Sequence, residues 1–458
     1  MSQEFDTLSR VREALQGGAA SALDIVERTL EKIAHADGEL GAFVALDAER
    51  AKIDARYVDA LRAGGAPMGP LAGAPIGIKD LIDVAGLPTR AGSLTRADAP
   101  AAATDAPIVS RLRAAGAIII GKTHTVEYAF GGWGTNEAVG TPLNPRDRDH
   151  PRTPGGSSSG SAVAVAGGLV PVAIGSDTGG SVRLPASFSG CVGLKTTVGL
   201  IDASRVLPLA PAFDSIGPLT SNVADAAIVL SVLAPPQDDR SSGWSGRLAD
   251  LAKGEIAVMD GRRIAVVANT GIALHSETAR VFSETQARLQ RLGASVEEIM
   301  LPESLAELSA PLGEILALEA YRLYGRFAEA EPSVMDAAVR GRILGGREIR
   351  AHRLSEINEH RQVVKRAFAM IFDRFDAILT PATALPAPLI SEHDEAASPA
   401  LFTRFVNYLD LAALSLPMGV TPIGLPIGLQ IVVPGLAEPL ALEIGGALEA
   451  DRGELPLA

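Results

Sequence analysis

Residues Thr153 to Pro185 read TPGGSSSGSAVAVAGGLVPVAIGSDTGGSVRLP, and this stretch decides how the whole chain is interpreted. It holds two turns of the type Gly-Gly-Ser, which end at Ser157 and Ser181 and enclose a run of small and β-branched residues. Glycine permits positive φ and a close approach of the backbone, so each turn can present a serine hydroxyl and several N–H groups to a ligand. Two turns of matching chemistry predict a site in which two hydroxyls lie beside a cluster of hydrogen-bond donors.

The two turns resemble those of the amidase signature family of serine hydrolases. The resemblance rests on Gly-Gly-Ser-Ser-x-Gly-Ser at residues 155–161 and Gly-Ser-Asp-Thr-Gly-Gly-Ser-x-Arg-x-Pro at residues 175–185. It extends to Gly-Ile-Lys-Asp at 77–80 and Gly-Leu-Lys at 193–195, so the signature core covers about residues 71–200. A weaker similarity returns between Asn407 and Gln430. Separated motifs in the family's order make the match specific.

The resemblance implies a catalytic role for three side chains. Ser181 would be the nucleophile, Ser157 a bridging serine on a cis peptide bond, and Lys79 the base. The residues alone leave Lys79 open between a lysine whose stem snorkels to the surface and a desolvated base. Desolvation lowers the pKa of lysine, and the apolar neighbours of Lys79 together with the family motif favour the base. Ser157 would pass the proton of Ser181 to Lys79, because a serine hydroxyl is a weak nucleophile until a base removes its proton.

The nucleophile turn also predicts donors for the oxyanion of a tetrahedral intermediate. An oxyanion hole needs preorganised N–H groups, and the turn offers those of Thr178, Gly179, Gly180 and Ser181. Asp177 and Arg183 flank the turn and match family positions. We expect both to hold the turn, although Arg183 could also meet an acidic substrate.

Three aromatic residues, Tyr128, Phe130 and Trp133, fall within six positions ahead of a glycine-rich loop, in a chain with only 4% aromatic residues. They predict either one wall of the substrate pocket or part of the core, and the sequence does not choose between these. Other pocket residues are expected from parts of 127–136 and 312–350. The identity of the amide substrate is not readable from these segments.

Two stretches in this region satisfy short sequence patterns of other enzymes but lack the structural context that those patterns require. Residues 116–123 satisfy the pattern of a phosphate-binding P-loop, but the run Ala-Ile-Ile-Ile predicts a strand whose N–H groups are used in a sheet. Residues 156–160 satisfy the Gly-x-Ser-x-Gly nucleophile elbow, but the elbow follows a strand, and residues 149–154 do not read as one. Both alternatives are rejected.

Composition excludes several classes of function. The 458 residues carry a formal net charge of −13, which argues against a general nucleic-acid binder. Cys191 is the one cysteine of the chain, so an intramolecular disulfide is excluded and a reducing compartment is favoured. No signal peptide or membrane span is expected, and the location is expected to be cytoplasmic. The histidines and the cysteine form no metal-binding motif, so neither a metal nor a cofactor is expected.

The pattern of helices and strands predicts an α/β fold. Ser21 to Asp24 reads as a capping box that starts a helix, and residues 263–299 read as a strand, a helix and a strand. The resemblance implies one α/β/α domain over residues 1–458, with a large twisted mixed sheet flanked by helices.

The function expected from the resemblance is a cofactor-independent amidase. It would hydrolyse a small-molecule amide to a carboxylate plus ammonia or amine through an acyl-enzyme on Ser181, with no nucleic-acid or membrane partner. A homodimer is compatible with the family. A non-catalytic scaffold is disfavoured, because all three catalytic positions are present.

The main alternative is the glutaminase (A) subunit of a tRNA-dependent amidotransferase, which shares the signature and supplies ammonia to a partner. That subunit usually has Gln where this chain has Leu184 and Pro where it has Thr196. These two differences favour a free-standing hydrolase, closer to malonamidase and indoleacetamide hydrolase relatives.

Overall fold

A computed structural model describes residues 5–235 and 243–457. Its centre is one 11-stranded sheet with the strand order β1-β3-β2-β4-β6-β5-β10-β11-β9-β7-β8. The strands are β1 Phe43–Leu46, β2 Pro75–Lys79, β3 Ile118–Thr123, β4 Val172–Asp177, β5 Val192–Lys195, β6 Ser215–Thr220, β7 Arg263–Val267, β8 Ser295–Ile299, β9 Ala377–Pro381, β10 Ala412–Val420 and β11 Pro426–Val433.

The sheet is mixed. Strand β2 runs parallel to β3 and β4, and β7 runs parallel to β8 and β9. The strands between these two groups pair in antiparallel fashion. This confirms the predicted α/β class with a large mixed sheet flanked by helices. Three strands of the signature core, β3, β2 and β4, lie side by side, so Lys79 at the end of β2 meets the residues at the end of β4.

The helices pack against this sheet and extend beyond it. They are α1 Leu8–Gln16, α2 Ala22–Leu40, α3 Ala48–Ala63, α4 Pro107–Ala114, α5 Ser159–Ala166, α6 Arg183–Ser189, α7 Val223–Leu233, α8 Trp244–Ala252, α9 Ser276–Arg291, α10 Leu305–Ala328, α11 Ala337–Gly345, α12 Ala351–Phe372, α13 Arg404–Tyr408 and α14 Glu438–Arg452. Short 3-10 turns occupy Leu94–Arg96, Glu127–Ala129, Gly346–Glu348 and Pro399–Phe402. Within the described ranges, no helix is both long enough and apolar enough to cross a bilayer.

Local sequence signals placed several elements correctly. Ser21 and Asp24 form the predicted capping box at the start of α2. The run expected to be a strand instead of a P-loop is β3, which is fully buried and pairs with β1 and β2. Residues 237–246 are polar and read as a loop. Those up to 242 lie outside the described residues, and residues 244–246 are helical instead, because α8 begins at Trp244.

Helix α5 directly follows the first serine turn and is almost completely buried. Its small residues let it approach the chain closely at Gly160, where an added β-carbon would lie 2.2 Å from Ala42 O and 2.4 Å from His124 N. The two contacts involve backbone atoms, which cannot rotate away as a side chain can. The glycine is therefore required by close packing and sets the position of the first serine turn.

We expect Gly160→Ala to destabilise the fold by about 1–3 kcal/mol, the usual cost of overpacking a dense interior. The measurement is the free energy of unfolding from urea denaturation. Gly246→Ala in α8 is the matched control, because nothing lies within 4 Å of its added β-carbon and alanine stabilises a helix relative to glycine. Equal midpoints for the two variants would contradict this account of α5.

Candidate active site

Lys79 ends strand β2, and its side chain is fully buried. Its Nζ lies 2.7 Å from Ser157 Oγ, 2.9 Å from Ser158 Oγ and 2.9 Å from Ser176 Oγ. Strand β4, which carries Ser176, is the parallel neighbour of β2, so the sheet itself brings these groups to the lysine. The surface alternative for Lys79 is excluded by this burial.

Burial also determines the charge state of Lys79. It lowers the pKa of the ammonium from its ordinary value to about 7, and the negative charges of Asp177 and Asp214 oppose this shift only in part. Desolvation disfavours the charged form of a lysine, and three hydroxyl groups can hydrogen-bond the neutral amine. A substantial fraction of Lys79 is therefore neutral near pH 7 and able to accept a proton.

The two serine turns meet directly. The Ser158 N–H donates to Ser181 O at 3.1 Å. The peptide bond between Gly156 and Ser157 is cis. Ser157 is fully buried beside Lys79, whereas Ser181 is 8% exposed and lines a cavity. The structure thus places one serine next to the lysine and the other at the edge of an accessible space.

A buried ion pair holds the nucleophile turn. Arg183 Nε donates to Asp177 Oδ2 at 3.0 Å and Arg183 Nη2 to Asp177 Oδ1 at 2.9 Å, and both side chains have no exposure. Burial alone would favour a neutral carboxyl, but the Arg183 guanidinium outweighs it and holds the pKa of Asp177 below its usual range. The same carboxylate accepts from the N–H groups of Gly180 and Val182. Asp177 and Arg183 therefore fix the backbone on both sides of Ser181.

The weak C-terminal similarity converges on this ion pair. Asn407 Oδ1 accepts from Arg183 Nη2 at 2.6 Å, and Asn407 Nδ2 donates to Asp177 Oδ1 at 2.9 Å. Gln430 Oε1 accepts from Arg183 Nη1 at 3.1 Å. Residues more than 200 positions apart in the chain therefore complete one hydrogen-bonded unit. Every Arg183 nitrogen is used in it, so the alternative of Arg183 as an acidic-substrate contact is not supported.

The four backbone donors predicted for the oxyanion are not equivalent. The Gly180 N–H donates to Asp177 Oδ1 at 2.8 Å, which corrects its assignment as an oxyanion donor. Gly180 has φ of +136°, and a β-carbon there would lie 2.2 Å from Thr403 Oγ1, so its role is to shape the turn. Thr178, Gly179 and Ser181 do line the cavity beside the nucleophile.

The cavity beside Ser181 has a volume of about 600 Å³. Phe130 and Trp133 line it, while Tyr128 does not. Tyr128 stacks on Tyr324 with 3.9 Å between ring centroids and belongs to the core. Trp133 Nε1 donates to the carbonyls of Asp394 and Ala397, so this ring also holds the adjacent loop, which lines the same cavity.

Sequence reasoning missed the charged residues of this cavity, which are Arg342, Glu395 and Arg404. Arg342 lies inside a segment expected to supply pocket residues, but 395–404 lies outside every such segment. Arg342 pairs with Glu395 and donates to Phe130 O at 2.6 Å. These residues come from separate helices and loops, so no local motif identifies them. Ser176, which contacts the lysine, lies in the signature motif, but the motif alone assigns it no role.

The sequence profile of the family described as Amidase matches residues 24–442. The chain belongs to this family. Members of the family act on amide C–N bonds, and the chain is an enzyme of this kind. Assignment to a serine hydrolase family agrees with the serine–lysine cluster described above.

The curated relatives and solved structures resemble this chain over nearly its full length. The glutamyl-tRNA(Gln) amidotransferase A subunit of Symbiobacterium thermophilum is 36% identical, over 96% of both chains, and that of a Cyanothece species is 33% identical over 97% of both. A structure described as an unexpected vestigial protein complex that reveals the origins of an s-triazine catabolic enzyme has TM-score 0.87 at 31% identity, covering 96% of this chain and 98% of that one. The glutamyl-tRNA(Gln) amidotransferase A subunit of Thermotoga maritima has TM-score 0.75 at 28% identity, covering 93% and 91%.

These relatives correct three expectations. The chain is not closer to malonamidase and indoleacetamide hydrolase than to the amidotransferase subunit, because the relatives of 33–36% identity over the whole chain carry the subunit's name. The free-standing amidase is accordingly the wrong main hypothesis. The expected absence of a nucleic-acid partner is contradicted as well, since the relatives' name refers to tRNA.

Leu184 and Thr196, the two residues that had favoured a free-standing hydrolase, have local packing roles. Leu184 is 1% exposed and contributes to the cavity wall. Thr196 is buried, and its Oγ1 donates to Ile216 O at 2.7 Å inside the fold. Each side chain satisfies its immediate surroundings, so neither position by itself reports whether a partner protein is present.

We expect Arg183→Met to destabilise the protein by about 3–5 kcal/mol, because it leaves the Asp177 carboxylate buried without its charge partner. Arg280→Met is the control: Arg280 is 43% exposed and pairs with Glu277 and Glu284 at the surface, where an ion pair contributes about 0–1 kcal/mol. Urea denaturation followed by circular dichroism measures both. A loss for Arg183→Met no larger than that of the control would contradict the structural role.

Proposed function

We propose that the chain is the glutaminase (A) subunit of an aminoacyl-tRNA amidotransferase. It releases ammonia from the side-chain amide of glutamine and supplies it to a partner that acts on aminoacyl-tRNA. The observation that carries the proposal is the similarity to amidotransferase A subunits at 33–36% identity over at least 96% of the chain. The serine–lysine cluster supports it, because its chemistry suits a carboxamide.

The proposed mechanism begins with proton transfer away from the nucleophile. Neutral Lys79 accepts the proton of Ser157 Oγ, which lies 2.7 Å away, as Ser157 takes the proton of Ser181. Ser181 Oγ attacks the amide carbon, the C–N bond breaks, and the proton returns through Ser157 to the leaving ammonia. Water then hydrolyses the acyl-enzyme and releases the carboxylate.

Backbone donors stabilise the negative charge that develops on the amide oxygen. The proposed oxyanion donors are the N–H groups of Thr178, Gly179 and Ser181. The Gly180 N–H is not one of them, because it is bound to Asp177. A single donor of this kind is typically worth about 2.7–4 kcal/mol in the transition state. The Asp177–Arg183 pair holds these groups in place before substrate binds, so they need no reorientation during the reaction.

We further propose a domain organisation, partners and a cellular location for the protein. The chain acts as one domain over residues 1–458, which the continuous 11-stranded sheet supports. Its partners are the other subunits of the amidotransferase and, through them, tRNA. It works in the cytoplasm, where aminoacyl-tRNA is made.

We expect kcat/KM to rise with pH through one ionisation near 7, because only neutral Lys79 can accept the proton and burial lowers its pKa to about 7. Below that pH, activity falls about tenfold per unit as the lysine becomes charged. Asp214→Asn removes a negative charge that raises the pKa of Lys79, so its profile should move to lower pH. An inflection at the ordinary lysine value of about 10.4 would contradict the assignment.

The function itself is tested by measuring ammonia release from glutamine, with and without partner subunits from the same source. We expect glutamine to be the preferred amide, and its hydrolysis to be coupled to amide formation on tRNA when the partners are added. Ser181→Ala should abolish both, and Lys79→Ala should slow both by about 10²–10⁴-fold, the usual contribution of a general base.

The control is Arg280→Gln, which changes an exposed surface ion pair and should leave both activities at the wild-type level. A protein that ignores glutamine, or that never transfers ammonia to tRNA in the presence of partners, would contradict the proposal.

A further inference from the structure

The cavity beside Ser181 has an uncompensated positive charge. Its charged lining consists of Arg342, Glu395 and Arg404. Glu395 is paired with Arg342 and also accepts from Thr135 Oγ1 and contacts His393 Nε2 at 3.0 Å. One carboxylate and one guanidinium therefore cancel, and Arg404 remains.

Arg404 makes no hydrogen bond or ion pair within residues 5–235 and 243–457, in contrast to Arg342. Burial, together with the positive charge of Arg342, lowers the pKa of Arg404 to about 10. A guanidinium carries five N–H donors and no acceptor. Arg404 is half-buried and lines the cavity, so an anion that enters the cavity can complete its hydrogen bonds.

The fold holds Arg404 next to the nucleophile turn. The preceding residue, Thr403, donates from Oγ1 to Gly179 O at 2.7 Å. A β-carbon on Gly179 would lie 3.6 Å from Arg404 Cγ, so the stem of the arginine runs along the backbone that carries the proposed oxyanion donors. On the other side, Arg404 Nη1 lies 3.2 Å from the β-carbon position of Gly313 in α10. The guanidinium is thus confined between this turn and α10.

We propose that Arg404 binds a carboxylate of the substrate, and that the enzyme selects amides that carry a carboxylate a few carbons from the scissile carbonyl. Arginine matches a carboxylate with two parallel hydrogen bonds, and a charge bound beside the nucleophile turn fixes the distance from the anion to the reacting carbon. Glutamine, the substrate of the proposed function, has such a carboxylate. The inference rests on that function for its choice of glutamine, but not for the anion site itself.

The first experiment separates the carboxylate from the rest of glutamine. Wild type and Arg404→Gln are assayed for ammonia release from L-glutamine, from glutaramate, which lacks the ammonium group, and from pentanamide, which lacks both charged groups. We expect Arg404→Gln to lower kcat/KM about 10- to 100-fold for the two carboxylates, the loss of a charge-assisted pair. The value for pentanamide should stay unchanged. Arg404→Lys keeps the positive charge but loses the paired N–H donors of the guanidinium, so it should be more active than Arg404→Gln and less active than the wild type.

The second experiment needs no turnover. Glutarate should protect Ser181 of the wild type from labelling by a fluorophosphonate, and should not protect Ser181 of Arg404→Gln. Labelling in the absence of glutarate shows that the variant is folded. Arg366→Gln is the control, because it removes the same charge at an exposed position of α12. It should behave as the wild type in both experiments.

The outcomes distinguish this inference from the proposed function. If glutamine is used with partners but Arg404→Gln loses as much activity on pentanamide as on glutaramate, the carboxylate site is wrong and the function stands. If glutaramate is hydrolysed in an Arg404-dependent way while glutamine is not, the function is wrong and the site stands. Failure of glutarate to protect wild-type Ser181, or equal protection in Arg404→Gln, overturns the site.

Discussion

The buried ion pair between Asp177 and Arg183 is the interaction on which the rest of the site depends. It joins the end of β4 to the start of α6, and the nucleophile turn is the loop between them. The Asp177 carboxylate orders the turn through the Gly180 and Val182 N–H groups. Asn407 and Gln430 complete the pair from the other half of the chain. Since an unpaired charge in this interior would cost several kcal/mol, the two halves are held to one geometry.

The same dense interior gives Lys79 its properties. An ammonium at the end of a buried strand loses its hydration, so its pKa falls to about 7, and no neighbouring positive charge is among the causes. Ser157, Ser158 and Ser176 replace water as hydrogen-bonding partners. The sheet thus positions the lysine and at the same time changes its acidity. One structural feature, burial at a strand end, accounts for both.

Much of the core of this site could be predicted from the sequence, because it is encoded locally. Glycine-rich turns, a lysine within an apolar run and a capping box are short patterns with direct backbone consequences, and Lys79 does lie beside Ser157 as expected. The contact of Ser158 with Lys79 was not predicted. The sequence analysis favoured a free-standing amidase over the amidotransferase subunit, and this was wrong. Leu184 and Thr196, on which it relied, are determined by local packing, whereas the similarity to the subunit extends over the whole chain.

The sequence by itself determined the α/β class and the strand character of residues 117–120, and it predicted that Lys79 and Ser157 lie together. Only the tertiary structure decided that Tyr128 belongs to the core while Phe130 and Trp133 face the cavity, that the Gly180 N–H binds Asp177, and that Arg404 is left without a partner beside Ser181 among the described residues. The physical reason is that these properties depend on which distant groups share the same small volume. Burial, charge compensation and donor availability are set by packing across the fold, and no window of neighbouring residues contains that information.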